Sequence, residues 1–321
     1  MKLFRNILLA VLALLLVSGL GGYFYMRKKF EPAANQLVIT GLPATFNFAW
    51  QADKLGPHAA LLVPITLPGC PRTCYLQFDT GAPTSLLYAN SLAALRKQYP
   101  ATAQALLPQA DTVRDFTFTL GQAQVKARRL KAYQHGASEL PTDSTEYFII
   151  GTLGADIVDG RVLVLDYARQ RFSVSTQLPD SLAHQTAFVP LDYASRRVIL
   201  TAQVQGKPEK LLFDSGTSAF ALLTSQETWQ QMARPQAPIQ TGTGNAMGNK
   251  ITTYTTATAA ALQLNNLTVP LGTVTYVEGT RMMENLLMRF SGMGGMLGNE
   301  PFSQHTIVLD VPGGRFGIVQ N

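Results

Sequence analysis

Two short acidic motifs have the composition needed for acid–base chemistry on an amide bond. Asp79 lies in the segment YLQFDTGAPTSLL and Asp214 lies in KLLFDSGTSAFALL, and each acid follows an apolar run and precedes a hydroxyl residue and a glycine. Two carboxylates held about 3 Å apart cannot both ionise cheaply, so they share one proton and their pKa values separate. One can then act as a base and the other as an acid on a water that attacks a carbonyl carbon.

The residues after each aspartate suit a close approach of the two motifs. Gly81 and Gly216 allow tight turns, because a residue without a Cβ atom leaves room for the opposite loop. Thr80 and Ser215 carry hydroxyls that can hydrogen-bond to that loop. We therefore expect the two motifs to meet in space, although they are 135 residues apart in the chain.

The chain contains one unit twice, which predicts that each half delivers its aspartate in the same way. The segment LGADIVDGRVLVLDYARQRFSV, from Leu153, aligns without a gap with LGNEPFSQHTIVLDVPGGRFGI, from Leu297. Each acidic motif also follows an alternating apolar pattern with a central turn, which predicts a β-hairpin. A helix signal follows each motif. Both halves are therefore predicted to be mostly β, with one or two short helices.

The first thirty residues differ from the rest and predict a membrane anchor. They hold five of the 26 basic residues and no acidic residue, and residues 6–26 carry no charge. About 20 apolar residues span a bilayer as a helix. Residues 1–30 are therefore predicted to form a single-pass transmembrane anchor, with a cleaved signal peptide as the alternative. The body is expected on the extracytoplasmic side, in a periplasm or outside the cell.

The charge of the body excludes a nucleic-acid partner. The whole chain has a formal net charge of +6, but residues 31–321 hold 21 basic and 20 acidic side chains. A net charge of +1 provides no basic surface for a phosphate backbone. His58, His135, His184 and His305 show no metal-ligand spacing, and neither a metal nor a cofactor is expected.

The internal repeat divides the body into two β-rich lobes. Residues 31–58 are predicted to form a linker with a peripheral strand, residues 59–178 the N-terminal lobe, residues 179–186 the linker between the lobes, and residues 187–321 the C-terminal lobe. Cys70 and Cys74 lie at the tip of the first predicted hairpin. A disulfide across this tip and two free thiols both remain open, and the close pair favours an oxidising compartment.

The chain resembles the pepsin-like aspartic peptidases, and their retropepsin relatives, over about residues 60–321. Four elements carry the resemblance, in the order in which the family has them: Phe78-Asp79-Thr80-Gly81, Ile149-Ile150-Gly151 with Leu153-Gly154, Phe213-Asp214-Ser215-Gly216-Thr217-Ser218, and Met296-Leu297-Gly298 followed by Ile307-Val308-Leu309-Asp310. The resemblance implies an all-β fold with short helices, in which two lobes related by a pseudo-two-fold repeat form the bilobal pepsin-like acid protease fold.

The resemblance also implies the chemistry. Asp79 and Asp214 would form the catalytic dyad of an aspartic endopeptidase, and the residues that support them would be Thr80, Gly81, Ser215, Gly216 and Thr217. The implied substrate is a polypeptide bound in the cleft between the lobes. The implied enzyme is a monomer, and its N-terminal helix attaches it to the membrane.

Two departures from the pepsin-like pattern give further expectations. Ala82 replaces the hydroxyl residue that usually follows Asp-Thr-Gly, as in retroviral and single-lobe bacterial relatives, whereas Thr217 keeps the hydroxyl in the second half. We therefore expect Asp214 to be the better stabilised carboxylate. Members of the family close the cleft with a first-lobe hairpin that carries a tyrosine, called the flap. The first half of this chain has no clear match to that hairpin. The glycine-rich run TGTGNAMGNKITTY with Tyr254 predicts a flap in the second half instead.

Two other interpretations of the body stay open. One is a membrane-tethered protein of the same fold that binds peptides with weak or no catalysis. The other is a tandem of retroviral-type halves that must assemble in pairs. Asp166 and Asp310 end apolar strands before turns, and we interpret them as turn residues.

Overall fold

The computed structural model describes residues 6, 14–25, 28, 34–54, 56–102, 111–246, 249–279 and 293–320. The chain divides into two compact units, residues 1–34 and residues 35–321. In the first unit, residues 14–25 are helical. None of the helices in the described part of the chain has the length and apolar character that crossing a membrane requires. The anchor predicted over residues 1–30 lies largely outside the described residues and stays a prediction.

The second unit consists mostly of β-strands, as the sequence predicts. The first eleven strands in chain order are β1 (Leu37–Thr40), β2 (Ala44–Asn47), β3 (Ala49–Asp53), β4 (Gly56–Ile65), β5 (Cys74–Asp79), β6 (Leu86–Tyr88), β7 (Thr112–Leu120), β8 (Ala123–Tyr133), β9 (Ile149–Gly154), β10 (Val162–Asp166) and β11 (Arg171–Ser175). The remaining strands are β12 (Thr186–Asp192), β13 (Ile199–Val204), β14 (Lys207–Phe213), β15 (Leu222–Leu223), β16 (Ile239–Ala246), β17 (Asn249–Ala257), β18 (Ala261–Leu264), β19 (Leu267–Pro270), β20 (Thr273–Glu278), β21 (Met293–Leu297), β22 (Thr306–Asp310) and β23 (Arg315–Val319).

The helices of the second unit are short. The α-helices span Ala89–Gln98, Asp180–Gln185 and Gln226–Met232. Single 3₁₀ turns span Ala155–Val158, Ala194–Arg196, Ser215–Thr217 and Glu300–Phe302. The prediction of an all-β chain with short helices is thus confirmed for the described residues.

The strands form two large mixed sheets. The first sheet has eight strands in the order β1-β8-β6-β9-β5-β4-β3, with β7 paired to β8. The second has fifteen, in the order β16-β17-β20-β15-β21-β14-β13-β12-β23-β22-β10-β11-β2, with the hairpin β18–β19 paired to β13. The second sheet therefore contains strands from both predicted lobes.

The sequence repeat appears in the strand pairing. In the first sheet, β5 pairs antiparallel with β4 and parallel with β9, and β6 pairs antiparallel with β9 and parallel with β8. The second sheet repeats this pattern. Strand β14 pairs antiparallel with β13 and parallel with β21, and β15 pairs antiparallel with β21 and parallel with β20. Asp79 ends β5 and Asp214 directly follows β14, so the repeat places the two acids at equivalent positions.

The described part of residues 31–58, expected to hold a linker and a peripheral strand, contains the strands β1, β2 and β3 and the start of β4. Strand β1 pairs with β8, and β3 pairs with β4, in the first sheet. Strand β2 pairs with β11 in the second sheet. The predicted linker at residues 179–186 contains the helix Asp180–Gln185.

Buried phenylalanines fix the strand that delivers each aspartate. Phe78 and Phe213, the residues directly before the two acids, are fully buried. The ring of Phe78 packs edge-on against Phe172 at 5.1 Å, and the ring of Phe213 packs against Phe316 at 5.8 Å. Phe172 and Phe316 occupy matching positions in the repeated segments. Each half therefore uses the same aromatic contact to hold its acidic loop against its core.

Candidate active site

The two acidic loops hold each other through a symmetric set of buried hydrogen bonds, which we call the hydroxyl lock. Thr80 Oγ1 accepts a hydrogen bond from the N–H of Ser215 at 2.9 Å and donates one to the carbonyl of Phe213 at 2.7 Å. Ser215 Oγ accepts from the N–H of Thr80 at 3.0 Å and donates to the carbonyl of Phe78 at 3.1 Å. The pairing of Thr80 with Ser215 that the sequence predicts is thus present.

The glycine after each hydroxyl residue faces the opposite carboxyl group. A Cβ atom added at Gly81 would lie 2.6 Å from Cγ of Asp214, and one added at Gly216 would lie 2.6 Å from Cγ of Asp79. Real Cβ atoms do not approach other atoms so closely. The absence of a side chain at both positions is therefore what allows the two carboxyl groups to come together.

The chain also passes close beneath each acidic loop at a second glycine. The N–H of Ala155, directly after Gly154, donates to the carbonyl of Ala82 at 2.8 Å. In the second half, the N–H of Asp214 donates to the carbonyl of Leu297 at 2.8 Å. A Cβ atom at Gly154 would lie 2.6 Å from the backbone of Thr84. The pairs Leu153-Gly154 and Leu297-Gly298 of the repeat thus lie directly against the acidic loops.

The carboxyl groups of Asp79 and Asp214 lie close enough for each to change the pKa of the other. Asp79 Oδ1 also accepts from the N–H groups of Gly81 at 2.8 Å and Ala82 at 3.2 Å, whereas Asp214 Oδ1 accepts from the N–H of Gly216 at 2.9 Å. Both side chains remain partly exposed to solvent. A water can therefore reach the pair.

Burial and mutual repulsion separate the proton affinities of the two acids. Burial raises the pKa of Asp214 to about 7, and the charge of Asp79 contributes to this rise. Burial also raises the pKa of Asp79, but the hydrogen bonds from Asp214, Gly81 and Ala82 oppose that rise. The stronger rise favours Asp214 as the acid that holds a shared proton and Asp79 as the carboxylate.

The raised pKa of Asp214 does not support the expectation that Asp214 is the better stabilised carboxylate. Thr217 Oγ1 donates to the backbone carbonyl of Asp214 at 2.9 Å, so this hydroxyl orders the loop and does not bond to the carboxyl group. In the first half, the backbone N–H of Ala82 donates to Asp79 although the residue has no hydroxyl. The sequence could not indicate this, because a backbone donor does not depend on the side chain.

Tyr254, predicted as the flap tyrosine, lies on β17 in the hairpin formed by β16 and β17. Its hydroxyl donates to Glu278 Oε2 at 3.0 Å, and its ring stacks on Tyr276 at 4.6 Å. The hairpin pairs as far as Ala246 and Asn249, beyond the end of the pairing between β17 and β20 at Thr252. Residues 247–248 lie outside the described residues, and the flap stays a prediction.

Cys70 and Cys74 are buried free thiols at the tip between β4 and β5. Burial raises the pKa of the Cys74 thiol, and the neighbouring Cys70 contributes to the rise. Between them, Arg72 donates to the carbonyls of Pro141 and Glu146, at 3.1 and 2.8 Å. The tip is thereby attached to the loop that precedes β9.

Two buried polar contacts that brace the acidic loops were missed in the sequence. Asp156 accepts from the hydroxyl of Ser85 at 2.6 Å and from its N–H at 2.8 Å, and burial raises the pKa of Asp156. In the second half, Asn299 donates to Ser218 Oγ at 2.8 Å and accepts from the hydroxyl of Tyr167 at 2.7 Å. The sequence does show a polar residue one or two positions after Gly154 and Gly298, but it does not show the partner of that residue.

The described residues contain no group of three or more His, Cys, Asp or Glu side chains that could hold a metal ion. Asp166 and Asp310, interpreted as turn residues, accept hydrogen bonds from the N–H groups of Arg169 and Gly313, both at 2.9 Å, in the turns that follow β10 and β22.

The sequence matches no protein-family model and no curated protein.

Proposed function

We propose that the protein is an aspartic endopeptidase with the bilobal, pepsin-like architecture, in which Asp79 and Asp214 form the catalytic dyad. The observation that carries the proposal is that each carboxyl group lies against the glycine of the opposite acidic loop, in an arrangement held by the hydroxyl lock of Thr80 and Ser215. The repeated strand pairing around β5 and β14 supports the bilobal architecture. Both acids come from one chain, which supports a monomeric enzyme over an assembly of paired tandem halves.

The pair can hydrolyse a peptide bond without another reagent. The Asp79 carboxylate takes a proton from a water as the water oxygen bonds to the carbonyl carbon, and Asp214 gives its proton to the carbonyl oxygen. In the second step, Asp79 returns its proton to the amide nitrogen and the C–N bond breaks. Asp214 then recovers a proton from one hydroxyl of the intermediate, so the products are a carboxylic acid and an amine, and the dyad returns to its starting state.

The proposed substrate is an extended polypeptide that lies across the dyad and makes strand-like backbone contacts. The N-terminal segment would attach the enzyme to a membrane, with the body on the extracytoplasmic side. Substrates would then be unfolded or flexible protein segments at or near the membrane.

Inhibitor-sensitive cleavage tests this proposal. The full-length chain in detergent is incubated with an unfolded protein between pH 3 and pH 8, with and without a statine-type inhibitor, which mimics the tetrahedral intermediate. We expect peptide-bond cleavage that the inhibitor abolishes. Binding of the unfolded protein without cleavage at any pH would contradict the proposal and favour a peptide-binding protein of the same fold.

A further inference from the structure

The side chains that flank the two aspartates on their strands differ between the halves. Side chains alternate along a strand, so the residue two positions before each acid lies on the same face, about 7 Å away. This residue is Gln77 in the first half and Leu212 in the second, and both are half-buried. In the neighbouring strand, Gln77 is paired with Thr152 and Leu212 with Met296.

The first wall, which we define as Gln77, Thr152 and Tyr88, consists of hydrogen-bonding side chains beside Asp79. The hydroxyls of Tyr88 and Thr152 lie 2.9 Å apart. Burial raises the pKa of Tyr88, and the charge of Asp79 contributes to the rise, which is consistent with a hydroxyl near the dyad. The amide of Gln77 has no hydrogen-bond partner among the residues that the structure describes. A half-buried amide in this state can donate to and accept from a ligand.

The second wall, which we define as Leu212, Met296 and Leu223, is apolar. Leu223 on β15 is paired with Met296 in the way that Leu86 on β6 is paired with Thr152. Both halves have leucine at this neighbouring position, Leu86 and Leu223, so the halves agree there and differ at the two positions nearest the acids.

We propose that the two walls select different side chains on either side of the bond to be cleaved. The residue against the first wall would carry an uncharged amide or hydroxyl group, and the residue against the second wall would be apolar. This inference rests on the proposed function, because it takes Asp79 and Asp214 as the point at which the peptide is cut.

The chemistry of the walls supports this division. A buried amide that is left without a partner costs free energy, so an apolar side chain against Gln77 would bind less well than one that completes its hydrogen bonds. An anionic side chain would be repelled by the Asp79 carboxylate. Leu212 and Met296 offer no partner to a polar group, so a polar side chain there would lose its water without compensation.

Cleavage of a mixed peptide library by the full-length chain, read by mass spectrometry, tests the proposal. We expect Asn, Gln, Ser or Thr to be enriched on one side of the cut bonds and apolar residues on the other. In Gln77→Leu, the ratio of apolar to polar residues at the polar position of the cut peptides should rise about tenfold. Leu212→Gln should make the apolar position accept polar residues. The matched control is Gln124→Leu, an exposed position on β8 that should leave the preference unchanged.

Apolar residues on both sides of the bonds cut by the wild-type chain would overturn the proposal, as would an unchanged preference in folded Gln77→Leu. Thermal melting of each variant establishes that it is folded. If the chain cuts no peptide, the proposed function fails, and the wall preference is then read from the library peptides that the immobilised full-length chain retains. Retained peptides enriched in one polar and one apolar position would support the walls independently of turnover.

Discussion

Thr80 and Ser215 each accept a hydrogen bond from the backbone N–H of the other, although 135 residues separate them in the chain. Each hydroxyl also donates to a carbonyl of the opposite strand, so all four bonds cross from one half to the other. Both residues are completely buried. The relative position of the two aspartates therefore depends on this pair, because each acid directly precedes one member of it.

Removing one hydroxyl of the lock should destabilise the protein strongly. Thr80→Val keeps the shape of the side chain but leaves the N–H of Ser215 and the carbonyl of Phe213 buried without their partners. At about 1–3 kcal/mol for each group, we expect a loss of about 2–6 kcal/mol in the free energy of unfolding, measured by denaturant titration. Thr117→Val, on β7, is the control, because its hydroxyl bonds at the surface. Equal effects of the two substitutions would contradict the role of the lock.

A methyl group at Gly216 should separate the carboxyl groups. Its Cβ atom would meet Cγ of Asp79 at 2.6 Å, so either the Asp79 carboxyl group or the loop must move. A displacement of about 1 Å at a catalytic centre can reduce the rate about 100-fold, and we expect Gly216→Ala to lower kcat/KM by at least that factor. Gly56→Ala, with open space around the added atom, should have no effect. Full activity in Gly216→Ala would argue against a close dyad.

The pH dependence of cleavage should have a basic limb near pH 7. Burial and the charge of Asp79 raise the pKa of Asp214 to about 7, so the general acid loses its proton as the pH rises through that value. On the acid side, activity should fall as Asp79 becomes protonated, with a midpoint above its ordinary pKa of 3.8, because burial raises that pKa. The profile of kcat/KM from pH 3 to pH 9 reports both limbs. A rate that is constant from pH 5 to pH 9 would exclude Asp214 as the acid.

Features set by a local sequence pattern could be predicted, whereas contacts between residues distant in the chain could not. The acidic loops, their hydroxyls and the repeated strands could be predicted because each half carries the same local pattern. The pairing of β1, β2 and β3 with strands of both sheets could not, because a short edge strand does not specify its distant partner. The contact between Asp156 and Ser85 was missed for the same reason, since the two residues are 71 positions apart.

Asp214 should make the stability of the protein depend on pH. The pKa of Asp214 is raised from 3.8 in an unperturbed chain to about 7 in the folded chain. Between these two pH values the folded state therefore keeps a proton that the unfolded state has lost. The free energy of unfolding therefore decreases as the pH rises from about 4 to about 7. Asp214→Asn removes this dependence, and near pH 8 we expect the variant to be more stable than the wild type by about 1–4 kcal/mol.

Thermal melting at pH 4 and pH 8 measures this difference. The gain in Tm from Asp214→Asn should be small at pH 4 and clearly larger at pH 8. Asp192→Asn, at the exposed end of β12, is the control and should show no comparable change with pH. A gain in Tm that is the same at both pH values would mean that Asp214 carries no raised pKa in the folded chain.

The most direct test of the account is the cleavage of an unfolded protein by the full-length chain and by its Asp79→Asn and Asp214→Asn variants. If the two acids share one proton and activate one water, each single substitution should reduce the rate by a factor of about 1,000 or more, while both variants remain folded. The reductions should not multiply in the double variant, because the two acids act as one unit. Cleavage at the wild-type rate by either folded variant would contradict the central claim.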